Sequence, residues 1–215
     1  MRYDLKKRVC AGEVPPAASS KRGTCTLKHI FIINPSAGKN DSRQRIYTMA
    51  EALREKHGLD VQCMLTASVG HAATLARGLA ESGEDVRLYA CGGDGTLNEC
   101  VNGAVGHDNV AVTHFPCGTG NDFIKMFGEE KDRFFDLSDL VRGEVRPLDV
   151  MECCGRYAVN ICSVGIDARI GTEVHQYHDS YVLSAVANLF KGIAQPLTVR
   201  GCGCLLYTSD AADDK

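Results

Sequence analysis

The sequence predicts an α/β fold built on a parallel sheet, and three observations carry that prediction. From Lys28 to Phe127, short β-branched runs alternate with stretches of helical period, the pattern of strands joined by crossover helices. Three of the strand runs end in polar, glycine-containing turns. Those turns are Asn34-Pro35-Ser36-Ala37-Gly38-Lys39, Cys91-Gly92-Gly93-Asp94-Gly95-Thr96 and Pro116-Cys117-Gly118-Thr119-Gly120-Asn121-Asp122. Parallel strands bring such turns to one edge of the sheet, where α/β proteins take their ligands.

The elements follow in order. Residues 1–27 carry Pro15-Pro16 and mixed charge without periodicity and read as a flexible leader. Lys28 to Asn34 is the first strand. Asn40 or Asp41 caps a helix to about His57, with Ile46, Met49, Ala50 and Leu53 on one face and Gly58 as its stop. Leu59 to Thr66 is the second strand, followed by a helix His71 to Ser82 whose buried side is marked by Leu75 and Leu79. The third strand ends at Cys91, and its helix is read from about Asn98 to Val105. The fourth ends at Phe115, and a short helix or turn takes Asp122 to Phe127.

The pattern then changes. Glu144 to Met151 and Tyr157 to Ser163 read as a hairpin turned by Cys154-Gly155, opening a second, β-rich region. An amphipathic helix from Tyr181 to Ile193 and a strand from Leu197 to Arg200 follow. The expected organisation is a leader (1–27), an α/β domain that carries the three turns (28–144), the start of a β-rich domain (145–203) and a tail (204–215). The tail's composition is foreign to the rest, and it reads as a translated sequencing-library adapter.

The totals exclude several classes. The chain has 215 residues, 44% apolar and 24% charged, as in a soluble globular protein. A net charge of −3 gives no electrostatic footprint for nucleic acid. Eleven cysteines, odd in number and scattered through apolar runs, read as reduced thiols of a cytoplasmic protein. None has zinc spacing. No run reaches the roughly 18–20 apolar residues of a membrane span, so contact with a membrane is expected to be peripheral. A P-loop is absent, and so is a Gly-x-Gly-x-x-Gly after the first strand.

The turn after the third strand carries the chemistry. Glycines let a backbone approach a ligand closely, and a helix N-terminus faces an anion with its dipole. Gly92, Gly93 and Gly95 are therefore expected against the phosphates of a ligand, with Thr96 as a hydroxyl donor. An acid inside such a turn is repelled by phosphate unless a cation intervenes, so Asp94 implies Mg²⁺. Glu99 or Asn98 points back to the site from the first helical turns. Asp167, after Gly165, is either a site acid or an ordinary turn acid.

Three motifs in this order, Asn34-Pro35-x-Ala37-Gly38, Gly92-Gly93-Asp94-Gly95-Thr96 and Pro116-x-Gly118-Thr119-x-Asn121-Asp122, resemble the catalytic domain of the diacylglycerol kinase family of lipid kinases. The likeness runs from about Lys28 to Arg200. NAD kinase shares only the middle motif. The resemblance implies an NAD kinase/diacylglycerol kinase-like fold and ATP-dependent phosphorylation of a lipid alcohol such as diacylglycerol at a membrane surface. A homodimer stays open.

By the same resemblance, Asn34, Gly38, Lys39, Thr66, Gly118, Thr119 and Asn121 join the glycine turn in binding nucleotide. Asp94, Glu99 and Asp122 are the catalytic candidates, with Asp94 and Asp122 near the metal. In some relatives the general base lies late in the second domain, and in others the Asp94 equivalent is the candidate. The alternatives are a non-catalytic nucleotide-binding fragment and a kinase of a soluble substrate such as NAD.

Overall fold

The structure, a computed structural model, describes residues 27–38, 41–163 and 168, together with the strand backbone at 2–4, 8–9, 197–201 and 204–209. The chain divides into two compact units, residues 6–150 and residues 1–5 with 151–215. Lys39, Asp167 and the expected helix from Tyr181 to Ile193 lie outside the described residues.

The first unit is built on four parallel strands, β1 (Lys28–Ile33), β2 (Asp60–Leu65), β3 (Val86–Gly92) and β4 (Val110–Pro116), in the spatial order β2-β1-β3-β4. Ile30 pairs with Gln62 on one side and Leu88 on the other, and Leu88 pairs in turn with Val112. β1 is covered on both faces, and Ile30, Phe31, Ile32 and Ile33 are fully buried. That accounts for its unbroken apolar run, since an interior parallel strand has no solvent face to alternate toward.

Helix α1 (Arg43–His57) lays Ile46, Ala50 and Leu53 on Phe31, Ile33, Tyr89, Cys91 and Phe115, with Met49 at the margin. Its end follows from Gly58, left-handed at φ 63°, whose N–H closes on the Arg54 carbonyl at 2.9 Å. Asp41 acts at its start, taking the Arg43 N–H at 2.9 Å.

Helix α2 (His71–Glu81) corrects one expectation. Its fully buried stripe is Ala72, Ala76 and Ala80, while Leu75 and Leu79 are half-buried. The reason is its neighbour, α3 (Asp94–Ala104). A Cβ on Gly103 would lie 2.3 Å from the Ala73 carbonyl oxygen and 2.8 Å from the Ala76 Cβ. The two helices meet through small residues, which leaves the leucines to flank the contact. α3 also begins at Asp94 rather than near Asn98, because the glycine turn winds directly into the helix.

After β4 come α4 (Asp122–Lys125), a 3₁₀ turn at Gly128–Phe135 and α5 (Leu137–Arg142). The last is capped by Asp136, whose carboxylate takes the Ser138 N–H at 2.8 Å. The backbone of Arg8–Val9 pairs antiparallel with Leu148–Asp149.

In the second unit, Met151–Cys153 and Arg156–Ala158 form a hairpin at the expected turn, but its first arm follows the expected Glu144–Met151 strand and shares only Met151 with it, because Leu148–Asp149 pairs with Arg8–Val9. Cys154 and Gly155 turn it, both at positive φ (53° and 75°). Arg2–Asp4 lies between Met151–Cys153 and Leu197–Gly201, and Cys204–Ser209 completes the sheet. Parts of the expected leader and tail therefore carry strand structure. Among the described residues, no helix is long and apolar enough to cross a membrane.

The α2–α3 contact yields a prediction. Gly103→Ala would gain up to ~1 kcal/mol of helix propensity but overpack the contact, at a cost of about 1–3 kcal/mol. Urea unfolding is expected to show a net loss of stability. An unchanged or raised midpoint would mean the helices do not approach as described.

Candidate active site

The turns after β1, β3 and β4 come together at the C-terminal edge of the sheet and are tied to one another at named atoms. Asn34, at the end of β1, gives its N–H to the Cys91 carbonyl at 2.9 Å and its side-chain amide to Thr96 Oγ1 at 3.1 Å. Gly38, at φ 77°, lies so close to the third turn that a Cβ would sit 2.2 Å from the Cys117 carbonyl oxygen. A Cβ on Gly118 would lie 2.5 Å from the Gly93 Cα. The Gly92 carbonyl accepts from Cys117 N–H (2.8 Å), Gly118 N–H (3.2 Å) and His114 Nε2 (3.0 Å). Burial lowers the His114 pKa and keeps the ring neutral, with Nε2 carrying the proton it donates.

The glycines therefore divide into two kinds. Gly92 and Gly93 were expected to approach phosphate, yet at Gly92 the protein itself explains the lack of a side chain, whereas a Cβ on Gly93 would meet the Gly118 Cα at an ordinary 3.4 Å. A Cβ on Gly92 would strike Thr96 Oγ1 at 2.3 Å, and Gly93 faces Gly118. Gly95 differs, because it is exposed and nothing lies within 4 Å of the place its Cβ would occupy. Thr96, expected as a hydroxyl donor to phosphate, is 6% exposed and turned inward to Asn34. Its hydroxyl joins two turns.

The third turn is closed by Asn121, left-handed at φ 47°. Its side chain accepts the Gly118 N–H at 3.1 Å and donates to the Gly118 carbonyl at 2.8 Å. Thr119 and Gly120 stand exposed at the tip. Asn121 is the cap residue of α4 but does not cap it with its side chain. Asp94 does so from across the site, taking the Phe123 N–H on Oδ1 at 3.1 Å.

The two acids expected near a metal do converge. A Cβ on Gly120 would lie 3.2 Å from Asp94 Oδ2 and 3.7 Å from Asp122 Oδ2. Asp122 also pairs with Lys125, and that bond, with Asp94 adding to it, raises the lysine pKa. Lys125 is a cation at the site that the sequence reading missed. Its spacing of three residues from Asp122 was the available signal. Among the described residues no group of three or more metal-ligating side chains is present.

Glu99 does not join these acids. Its two oxygens take the N–H groups of Gly70 (2.9 Å) and Ala72 (3.2 Å) at the start of α2. Glu99, expected among the catalytic residues, is placed here as a carboxylate held at a neighbouring helix terminus. Thr66 ends β2 with its N–H on the Ile33 carbonyl at 2.9 Å, and His71 Nδ1 accepts the Ala67 N–H at 2.9 Å. A cavity of about 740 Å³ lies behind Phe123, lined also by Phe127, Phe134, Leu140, Arg87 and Arg146. None of the three turns lines it.

Residues 28–153, which contain all three turns, match the family model described as the diacylglycerol kinase catalytic domain. The chain belongs to the diacylglycerol kinase catalytic-domain family. It is 31% identical over 137 residues to a diacylglycerol kinase of Bacillus subtilis, covering 63% of this chain and 45% of that one. It is 33% identical over 144 residues to a diacylglycerol kinase of Staphylococcus saprophyticus, covering 66% and 47%. A crystal structure titled as a diacylglycerol kinase from Bacillus anthracis aligns at a TM-score of 0.49 and 28% identity, over 60% of this chain and 48% of that one. The chain thus spans about half the length of the diacylglycerol kinases it matches.

Within this kinase-family domain, the Gly93–Gly118 contact sets the spacing of the second and third turns. Gly118→Ala is expected to push them apart and cost about 1–3 kcal/mol of stability by overpacking, read as a lower midpoint in denaturant. A variant as stable as the parent would remove the contact from the account.

Proposed function

We propose that this chain carries the nucleotide-binding part of an ATP- and Mg²⁺-dependent lipid kinase, which transfers the γ-phosphoryl group to a lipid hydroxyl, converting diacylglycerol to phosphatidic acid. One observation carries the reading. The N-terminus of α3 is open and flanked by exposed Gly95, while two carboxylates converge beside it at Gly120.

The residues fit the groups this reaction needs. Gly93 caps α3 without a side chain, so the first N–H groups of the helix are free to meet phosphate with the dipole behind them. Mg²⁺ is normally held by one or two carboxylates with substrate phosphates and water, and Asp94 and Asp122 are such a pair. When bound, the ion neutralises charge on the phosphates and orients them. Lys125 adds a positive charge beside Asp122. Asp94 Oδ1 is held by the Phe123 N–H, which fixes the carboxylate and leaves Oδ2 for the metal or for the proton of the acceptor alcohol. Phosphoryl transfer asks mainly for positioning and charge stabilisation, and rigidly tied turns supply both.

Membership of a lipid kinase family favours a lipid acceptor over a soluble one. The diacylglycerol kinases of the two bacteria named above lend diacylglycerol as the first candidate. The protein would then meet its substrate at a membrane surface from the aqueous side.

Two outcomes are expected. ATP-dependent phosphorylation of diacylglycerol in mixed micelles, assayed with the gene's complete reading frame, should fall at least about 100-fold in Asp94→Asn, the scale of a lost acid–base or charge-stabilising group. Phosphorylation of NAD or another soluble alcohol without lipid would overturn the reading. Gly95→Ala should fold with an unchanged or raised midpoint, since its Cβ meets nothing in the protein and alanine favours the helix, yet bind ATP about tenfold more weakly, since the methyl would occupy the phosphate approach. Unaltered ATP affinity would place the phosphates elsewhere.

A further inference from the structure

We infer that Glu99 is a positioning residue that holds the nucleoside side of the site in register with the phosphate side. The inference rests on the kinase reading above and adds a role that neither motif nor chemistry assigns. Glu99 sits one and a half turns along α3 from Asp94, on the helix whose N-terminus faces the phosphates. Both of its oxygens are engaged by the N–H groups of Gly70 and Ala72. Gly70 is the cap residue of α2, left-handed at φ 82°, and has no side chain with which to satisfy that helix. The carboxylate of α3 therefore serves as the N-cap of α2.

The turn so held is short and braced. Thr66 is anchored to β1 through the Ile33 carbonyl. The Ala67 N–H bonds His71 Nδ1, and the His71 N–H bonds the Ser68 carbonyl at 3.2 Å. Val69, in its middle, is 96% exposed, so no core packing holds that point. The position of the turn depends on its two ends, and Glu99 grips one of them.

The strand order makes this matter for binding. With β2-β1-β3-β4, the turns after β3 and β4 take the phosphates and the acids. A nucleotide whose phosphates lie on α3 and whose other end runs along the sheet edge passes the turns after β1 and β2. α3 contacts both ends of that path, through Asp94 at one and Glu99 at the other. A carboxylate also places negative charge against the N-terminus of α2 and takes that helix out of competition for phosphate. α3 is left as the open terminus.

The test is Glu99→Gln, which keeps the size but turns an amide NH₂ toward an N–H donor, and Glu99→Ala beside it. The measurements are the ATP dissociation constant by calorimetry, KM for ATP, kcat, and amide hydrogen exchange at Gly70 and Ala72. Loss of two charge-assisted hydrogen bonds should raise both ATP constants about tenfold. It should leave kcat within about twofold and KM for the lipid unchanged, and speed exchange at Gly70 and Ala72.

A fall in kcat with unchanged ATP constants would overturn the inference in favour of direct chemistry by Glu99. A lowered unfolding midpoint with unchanged ATP constants would reduce the contact to stability alone and also overturn it. Slow exchange at Gly70 and Ala72 in both variants would remove the clamp itself. If the parent protein phosphorylates no lipid but its ATP affinity and exchange respond as stated, the clamp stands and the lipid kinase reading falls.

Discussion

Two backbones touch where Gly93 meets Gly118, with no side chain between them, and the site is arranged around that approach. Because the turns are this close, one carbonyl, that of Gly92, can accept from both following N–H groups of the third turn and from His114. A buried carbonyl without a partner costs about 1–3 kcal/mol, so this triple satisfaction removes a penalty that close packing would otherwise create. Gly38 repeats the device against Cys117. Three segments distant in sequence become one rigid surface.

Electrostatics then decides which helix end is free. α3 carries two acids that serve other helices, Asp94 at the start of α4 and Glu99 at the start of α2. Each takes N–H groups that would otherwise be unpaired. The N-terminus of α3 itself has no such partner, since its cap residue is a glycine. An anion arriving at this edge thus meets uncapped N–H groups at α3, with the Asp94 carboxylate beside them, and starts of α2 and α4 that are already capped.

Much of this was legible in residue order. Apart from the earlier start of α3, the strands and helices from Lys28 to Lys125 fall where period and turn chemistry place them, and the Cys154-Gly155 turn was readable from its glycine. What was not legible depends on contacts between segments. The alanine stripe of α2 is decided by Gly103 on another helix. Thr96 reads as a phosphate donor, and only the fold shows that its hydroxyl oxygen also accepts from the Asn34 amide. Glu99 follows Asp94 on the same helix, and only the fold shows that the two acids serve different neighbouring helices. The segment from Gly128 to Phe135 escaped because a 3₁₀ turn has neither helical nor strand period.

The strand order has a consequence for how the chain is made. β1 is synthesised first of the four, yet it occupies an interior position between β2 and β3. Its run of Ile30, Phe31, Ile32 and Ile33 therefore leaves the ribosome well before the residues that cover it, and the second flank closes only when Val86–Gly92 has emerged. Parallel pairing over such separations is slow to form, and an exposed apolar strand is prone to associate with other chains. Nascent copies of this protein thus pass through a sticky interval, and a chaperone that shields the stretch after Lys28 would raise the yield of folded protein.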